Sequence, residues 1–219
     1  MYRYLLFDLD GTLTDPKEGI TRSVQHALRR FGIEEPDTDR LTPFIGPPLT
    51  ESFQKYYGLS EEDSFRAVDY YRERFSVTGL FENEVLPGIP ETLEALSGEG
   101  KILAVASSKP ELFVNRILEK FGLAQWFAEV TGATMDERTR TTKPEVIREC
   151  LKRLGIPEEE KKNVLMIGDR RHDVEGAQAC GLDSLGVYFG YAEEGELEKA
   201  GADFIVSTVP EMKAFLLSH

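Results

Sequence analysis

Six short strand-like runs alternate with helical patterns along the chain: Tyr4–Phe7, Ile102–Ala106, Glu129–Thr131, Val164–Ile167, Leu185–Val187 and Phe204–Val206. Alternation of this kind predicts a parallel sheet covered by helices on both faces, a Rossmann-like doubly wound α/β core. Helix starts carry their own punctuation: Pro110 follows "SSK" and Pro144 follows "TTK", each placed as the first residue of a helix. Both put a lysine at a helix N-terminus.

The spacing between runs is uneven. The first ends near Asp8 and the second begins only near Ile102, far more chain than one crossover helix requires, so something is inserted. Within that gap Ile20, Val24, Ala27, Leu28 and Phe31 recur at helical spacing, as do Phe65, Val68, Tyr71 and Phe75. The expected organisation is therefore a Rossmann-like core of residues 1–15 and 85–219 and a small α-helical domain of residues 16–84 inserted after the first strand.

Composition excludes several functions. A formal charge of −13 argues against wrapping nucleic acid, whose phosphates demand a basic surface, but leaves room for a small anionic substrate in a locally positive pocket. No apolar run approaches the roughly 20 residues of a membrane helix. The start "MYRYLLFDLDG" reaches acidic residues too soon for a signal peptide, so a cytoplasmic protein without membrane contacts is expected. Cys150 and Cys180 lack metal-ligand spacing and read as buried free thiols. The acidic surface favours solubility, with a monomer or homodimer as the expected assembly.

Chemistry concentrates at the ends of the apolar runs. In "FDLDGTLTD", Asp8 and Asp10 lie two apart and project together if strand geometry persists through them. Taken alone, such a pair is equally a helix cap beside a solvated turn residue. "MIGDRRHDV" places Asp169 and Asp173 after another apolar run, which makes a second acidic cluster. Oxygen ligands without cysteine or histidine favour a hard cation such as Mg²⁺. His172 reads as a surface or supporting residue rather than a ligand. "VASSKP" supplies Ser107, Ser108 and Lys109, where hydroxyls and free amides can hold an anion or merely cap a helix, and "RTTKPEV" supplies Lys143, a cation for phosphoryl charge or an exposed lysine. All four signals fall at strand-to-helix junctions, where open α/β sheets bind ligands.

In this order, DLDGT, a serine after a strand, a lysine and then GDxxxD, the chain resembles the haloacid dehalogenase-like hydrolases over nearly its whole length. The resemblance implies that the insert is a helical cap that opens and closes over the site, with Asp8 as nucleophile and Asp10 as general acid and base. Ser107, with Ser108 beside it, and Lys143 would hold the phosphoryl group. Mg²⁺ would be held by Asp8, the backbone carbonyl of Asp10 and Asp169, with Asp173 in support. An acid at Asp10 is what separates phosphatases and phosphomutases of the family from its dehalogenases.

"FIGPPLTESF", "MIGDRRHD" and "GADFIV" further resemble the phosphoglycolate phosphatase-like branch, including members described as 5'-nucleotidases. That implies a phosphomonoesterase acting through an aspartyl-phosphate on a small phosphorylated metabolite, 2-phosphoglycolate or a nucleoside 5'-monophosphate. Gly46, before Pro47 and Pro48, would face the substrate, or simply turn the chain between two cap helices. Lys17, Arg22 and Arg40 are candidate contacts for a substrate anion or merely solvated charges. Competing readings are a sugar phosphomutase or pyrophosphatase of the same superfamily and, outside enzymes, a phospho-aspartate signalling or binding module.

Overall fold

The structure, a computed structural model, describes residues 1–136 and 138–219. Strand β1 (Tyr4–Phe7) is followed by the two-residue β2 (Thr14–Asp15) and by helices α1 (Lys17–Arg29), α2 (Leu49–Tyr57) and α3 (Glu61–Phe75). Strand β3 (Glu84–Val85) pairs with β2. Helices and strands then alternate as α4 (Ile89–Gly98), β4 (Ile102–Pro110), α5 (Glu111–Lys120), β5 (Glu129–Ala133), α6 (Lys143–Arg153) and β6 (Val164–Gly168). The chain finishes with α7 (Arg171–Cys180), β7 (Asp183–Val187), α8 (Glu196–Ala200), β8 (Phe204–Val206) and α9 (Val209–Ser218). It divides into two compact units, Met1–Thr14 with Val85–His219, and Asp15–Glu84.

The first unit is built on a six-stranded sheet in the order β5-β4-β1-β6-β7-β8, with every neighbouring pair parallel. Strands buried on both faces need apolar runs without alternation, which "YLLF", "ILAVA" and "VLMIG" supply. Register aligns Leu5 with Leu103 and Leu165, and Leu6 with Ala104 and Met166. Leu6, Ala104 and Met166 pack with Val146, Ile147, Cys150 and Ala177 from α6 and α7. Each fully buried aliphatic side chain contributes about 1.5–3 kcal/mol. Cys150 and Cys180 are buried free thiols in this layer.

From β1 the chain lays β4 and β5 to one side, then returns to place β6, β7 and β8 on the other. Strand order therefore reverses at β1. Connections leave such a reversal toward opposite faces and open a crevice beyond the carboxyl ends of the strands.

Neither Pro110 nor Pro144 is the first residue of its helix, contrary to the expectation from sequence. Strand β4 continues past its apolar run to Pro110, which pairs with Ala133 after a register shift between Ser107 and Pro110. Pro110 thus precedes α5 as its cap instead of opening it, and Lys109 stands on the strand. At α6, Lys143 is the first helical residue and Pro144 the second.

In the second unit Ile20, Val24, Ala27 and Leu28 of α1 and Val68, Tyr71 and Phe75 of α3 are buried, as their spacing requires. Phe31 lies beyond the end of α1, with its ring edge-on to Tyr70. Helix α2 buries Phe53 against Phe44, ring centroids 5.0 Å apart. Among the described residues no helix is long and apolar enough to cross a membrane.

Gly19 sets the closeness of α1 to the turn Gly79–Phe81, because a Cβ there would stand 2.0 Å from the Gly79 carbonyl oxygen. Gly19→Ala is expected to destabilise the protein by about 1–3 kcal/mol through overpacking. Gly98→Ala, at the end of α4 with open space around it, should be neutral or stabilising by about 0.4–1 kcal/mol. Urea denaturation of both variants checks the contrast, and equal midpoints would contradict it.

Candidate active site

Asp8 follows β1 directly, and its N–H donates to the Ile167 carbonyl of β6 at 2.9 Å. Two residues on, Asp10 enters a tight loop in which the Gly11 N–H donates to the Thr14 carbonyl at 2.7 Å. Gly11 holds a φ of 79°, a left-handed conformation that glycine adopts without steric cost. Asp169 follows β6, and its Oδ2 accepts from the Tyr191 N–H at 2.7 Å. A Cβ at Gly11 would fall 2.1 Å from that oxygen, and one at Gly190 would fall 2.4 Å from it. Two bare glycine backbones thus close around Asp169.

Asp173 lies in the first turn of α7, where its Oδ2 accepts from the Arg170 N–H at 3.1 Å, and Gly168 leaves the space that its carboxylate fills. Lys143, at the start of α6, brings its ammonium to 2.9 Å from Asp8 Oδ1 and 2.7 Å from Asp173 Oδ1, and donates to the Ala106 carbonyl at 3.0 Å. A second lysine, Lys109 at the end of β4, pairs with Asp10 Oδ2 at 2.5 Å. Ser107 is buried beside it, its hydroxyl accepting from the Lys109 N–H at 3.3 Å, while Ser108 is half-buried in the irregular stretch of β4.

Four carboxylates share this crevice with two ammonium groups, and Asp169 is fully buried. Burial raises Asp169 well above the ordinary carboxylate range, and repulsion from Asp173 and Asp8 adds to it. Burial also raises Asp173 and Asp10, against the opposing pull of Lys143 on the first and Lys109 on the second. The Lys143 ammonium is pulled down by burial, yet the attraction of Asp173 and Asp8 outweighs that and raises it. With every group ionised the cluster falls two positive charges short, and charges held out of water without compensation are costly.

The shortfall fits a divalent cation. Asp8, Asp169 and Asp173 each offer a carboxylate oxygen, all within 4.8 Å of one another. Asp169 Oδ1 is buried without a hydrogen bond, while Asp8 Oδ1 and Asp173 Oδ1 face Lys143 at ion-pair distance without hydrogen-bond alignment. Clustered hard oxygens left unsatisfied are the donor set of Mg²⁺. His172 is not among these oxygens. Its imidazole is held down at about 4 by burial and by Arg171, Arg170 and Lys143.

Asp8, Asp10, Ser107, Ser108, Lys143, Asp169 and Asp173 therefore lie in one unit at the carboxyl edge of the sheet. Gly46 lies in the other unit, before α2, with a φ of 102° that itself calls for glycine. The other candidate cations of that unit are ion-paired within it: Lys17 with Asp39, Arg22 with Glu18 and Glu82, and Arg40 with Glu35. Lys109 is the residue that sequence reasoning left without a role. Its position beside Ser107 and before Pro110 was legible, but its pairing with Asp10 depends on β4 running past its apolar stretch.

A carboxylate cluster with a buried lysine at the switch point of a doubly wound sheet, and a second unit inserted after the first strand, is the arrangement of a hydrolase of α/β architecture that works on anionic groups. The chain matches the model of the family "haloacid dehalogenase-like hydrolase" over residues 5–187 and belongs to that family. It is 49% identical over 218 residues to a 5'-nucleotidase of Pseudomonas aeruginosa, covering 100% of this chain and 97% of that protein. The tyrosine-protein kinase PtkA of Mycobacterium tuberculosis is 37% identical over 215 residues, covering 97% of this chain and 72% of the kinase. A phosphoglycolate phosphatase of Aquifex aeolicus is 30% identical over 99% of this chain and 98% of its own. Among solved structures, a predicted phosphatase from Clostridium acetobutylicum superposes with a TM-score of 0.95 at 44% identity, covering 100% of both chains.

Replacing Lys143 by Met removes the cation between Asp8 and Asp173 and leaves two buried carboxylates facing each other. The metal-free variant is expected to lose about 3 kcal/mol of stability. Urea denaturation in EDTA measures it, and an unchanged midpoint would contradict the ion-pair account.

Proposed function

We propose that the chain is a Mg²⁺-dependent phosphatase that hydrolyses small phosphomonoesters through an aspartyl-phosphate on Asp8. The observation that carries this reading is the charge balance of the crevice: Asp8, Asp169 and Asp173 converge on one point, and Lys143 alone does not neutralise them. When bound, Mg²⁺ would supply the missing positive charge and lower the repulsion between Asp8 and an anionic phosphate. Asp8 and Asp169 with the backbone carbonyl of Asp10 would hold it, and Asp173 would support it.

The chain's own residues carry the steps. An Asp8 carboxylate oxygen attacks phosphorus, and the bond from phosphorus to the ester oxygen breaks. Asp10 gives its proton to that departing oxygen, then takes one from the water that attacks the aspartyl-phosphate and frees inorganic phosphate. Ser107, Ser108 and Lys143 orient the phosphoryl oxygens, since this chemistry asks mainly for positioning and charge stabilisation. Residues 16–84 are the cap in this reading, and Gly46 is its candidate specificity residue. Nucleoside 5'-monophosphates and 2-phosphoglycolate are the substrates favoured by relatives named for those activities.

Phosphate release from nucleoside monophosphates, 2-phosphoglycolate, sugar phosphates and pyrophosphate, each with Mg²⁺ or EDTA, tests the reading. Expected is metal-dependent turnover concentrated on one compound class, with Asp8→Asn reduced by more than about 1,000-fold. Appreciable activity in Asp8→Asn, or turnover indifferent to EDTA, would overturn it. Phosphoryl transfer to a sugar or a tyrosine without phosphate release would favour a mutase or kinase.

A further inference from the structure

We propose that Lys109 is the positioning residue for Asp10: its ammonium fixes Oδ2 of that carboxylate so that Oδ1 is the oxygen presented to the leaving group and then to water. This rests on the acid and base role given to Asp10 above. The pair spans 2.5 Å, and its side chains are only 6% and 8% exposed. Asp10 Oδ1 is equally buried but has no hydrogen-bond partner among the described residues. One oxygen is thus tied down and the other left open, an asymmetry that a short side chain with a broad terminal torsion does not hold unaided.

The anchor is itself held in place. The Lys109 N–H donates to the Ser107 hydroxyl at 3.3 Å, and Pro110 is locked into register with Ala133. Gly132 of β5 lies so close that a Cβ there would stand 2.6 Å from the Lys109 carbonyl oxygen and 2.5 Å from the Glu111 Cα. Lys143 does not substitute for this lysine, because its ammonium is engaged by Asp8, Asp173 and the Ala106 carbonyl. A charge-assisted contact out of water is stronger than a neutral one and defines its geometry more tightly. Lys109 acts through Asp10, and the reacting groups remain Asp8 and Asp10.

A double-mutant cycle of Lys109→Met and Asp10→Asn tests this, with kcat and KM measured on the best ester of the panel and on 4-nitrophenyl phosphate. Alone, Lys109→Met is expected to lower kcat about 100-fold, in the range that acid–base catalysis supplies, with KM little changed. Lys109→Arg should recover most of that loss, and in the Asp10→Asn background Lys109→Met should change kcat less than about 3-fold. Equal losses in both backgrounds, or a loss confined to KM, would make Lys109 a substrate-binding residue and overturn the proposal while leaving the role of Asp10 intact. Full activity in Asp10→Asn, or none in the parent protein, would overturn the underlying reading and the proposal together. Lys109→Gln, judged by the same outcomes, replaces the Met variant if circular dichroism finds the latter unfolded.

Discussion

Four buried carboxylates held against two lysines are the interaction on which this molecule turns. Asp8, Asp10, Asp169 and Asp173 lie where the strand order of the sheet reverses, and Lys143 and Lys109 face them from neighbouring junctions. Such a cluster works against folding, because each charge loses its hydration and the carboxylates repel one another. Its persistence in a folded chain depends on partners arriving from several elements at once: two lysines and the backbone amides of Arg170 and Tyr191, with the remaining charge left for the divalent cation proposed above.

The scaffold supplies those partners at the expense of side chains elsewhere. Gly11 and Gly190 give up any side chain so that two loops reach Asp169, Gly168 makes room for Asp173, and Gly132 lets the end of β4 approach β5. Beneath them, apolar strands in matched register and the layer formed by Leu6, Met166, Val146 and Ile147 provide a rigid floor. Charge is buried at the carboxyl edge and apolar packing is regular beneath it, which is the pattern of a protein that offsets a costly site with a regular core.

Much of this was legible in the sequence because the signals were local. Apolar runs such as Val164–Ile167 have the length and composition of buried parallel strands, and the acidic residues follow them immediately. The long interval after Asp8 announced a second unit, and the helical spacing of Ile20 through Leu28 and of Val68 through Phe75 announced its helices. Less accessible was whatever depends on the register of one element against another. Pro110 looked like a helix start, since its chemistry suits that position, but pairing with Ala133 keeps it on the strand. Lys109 then sits on the strand and pairs with Asp10, a contact across 99 residues that no local pattern encodes. Helix α2 carries no clear helical periodicity of its own because it is short and follows two prolines, with Phe53 meeting Phe44 only after the chain has turned.

In the proposed reaction Asp8 carries the phosphoryl group. Acid quenching during turnover, followed by peptide mass spectrometry, tests it most directly. A single phosphoryl adduct on Asp8, absent without Mg²⁺, is the predicted result. Steady release of phosphate with an adduct on another residue, or with none at any time in the reaction, would contradict it and leave Asp8 as a metal ligand beside a directly attacking water.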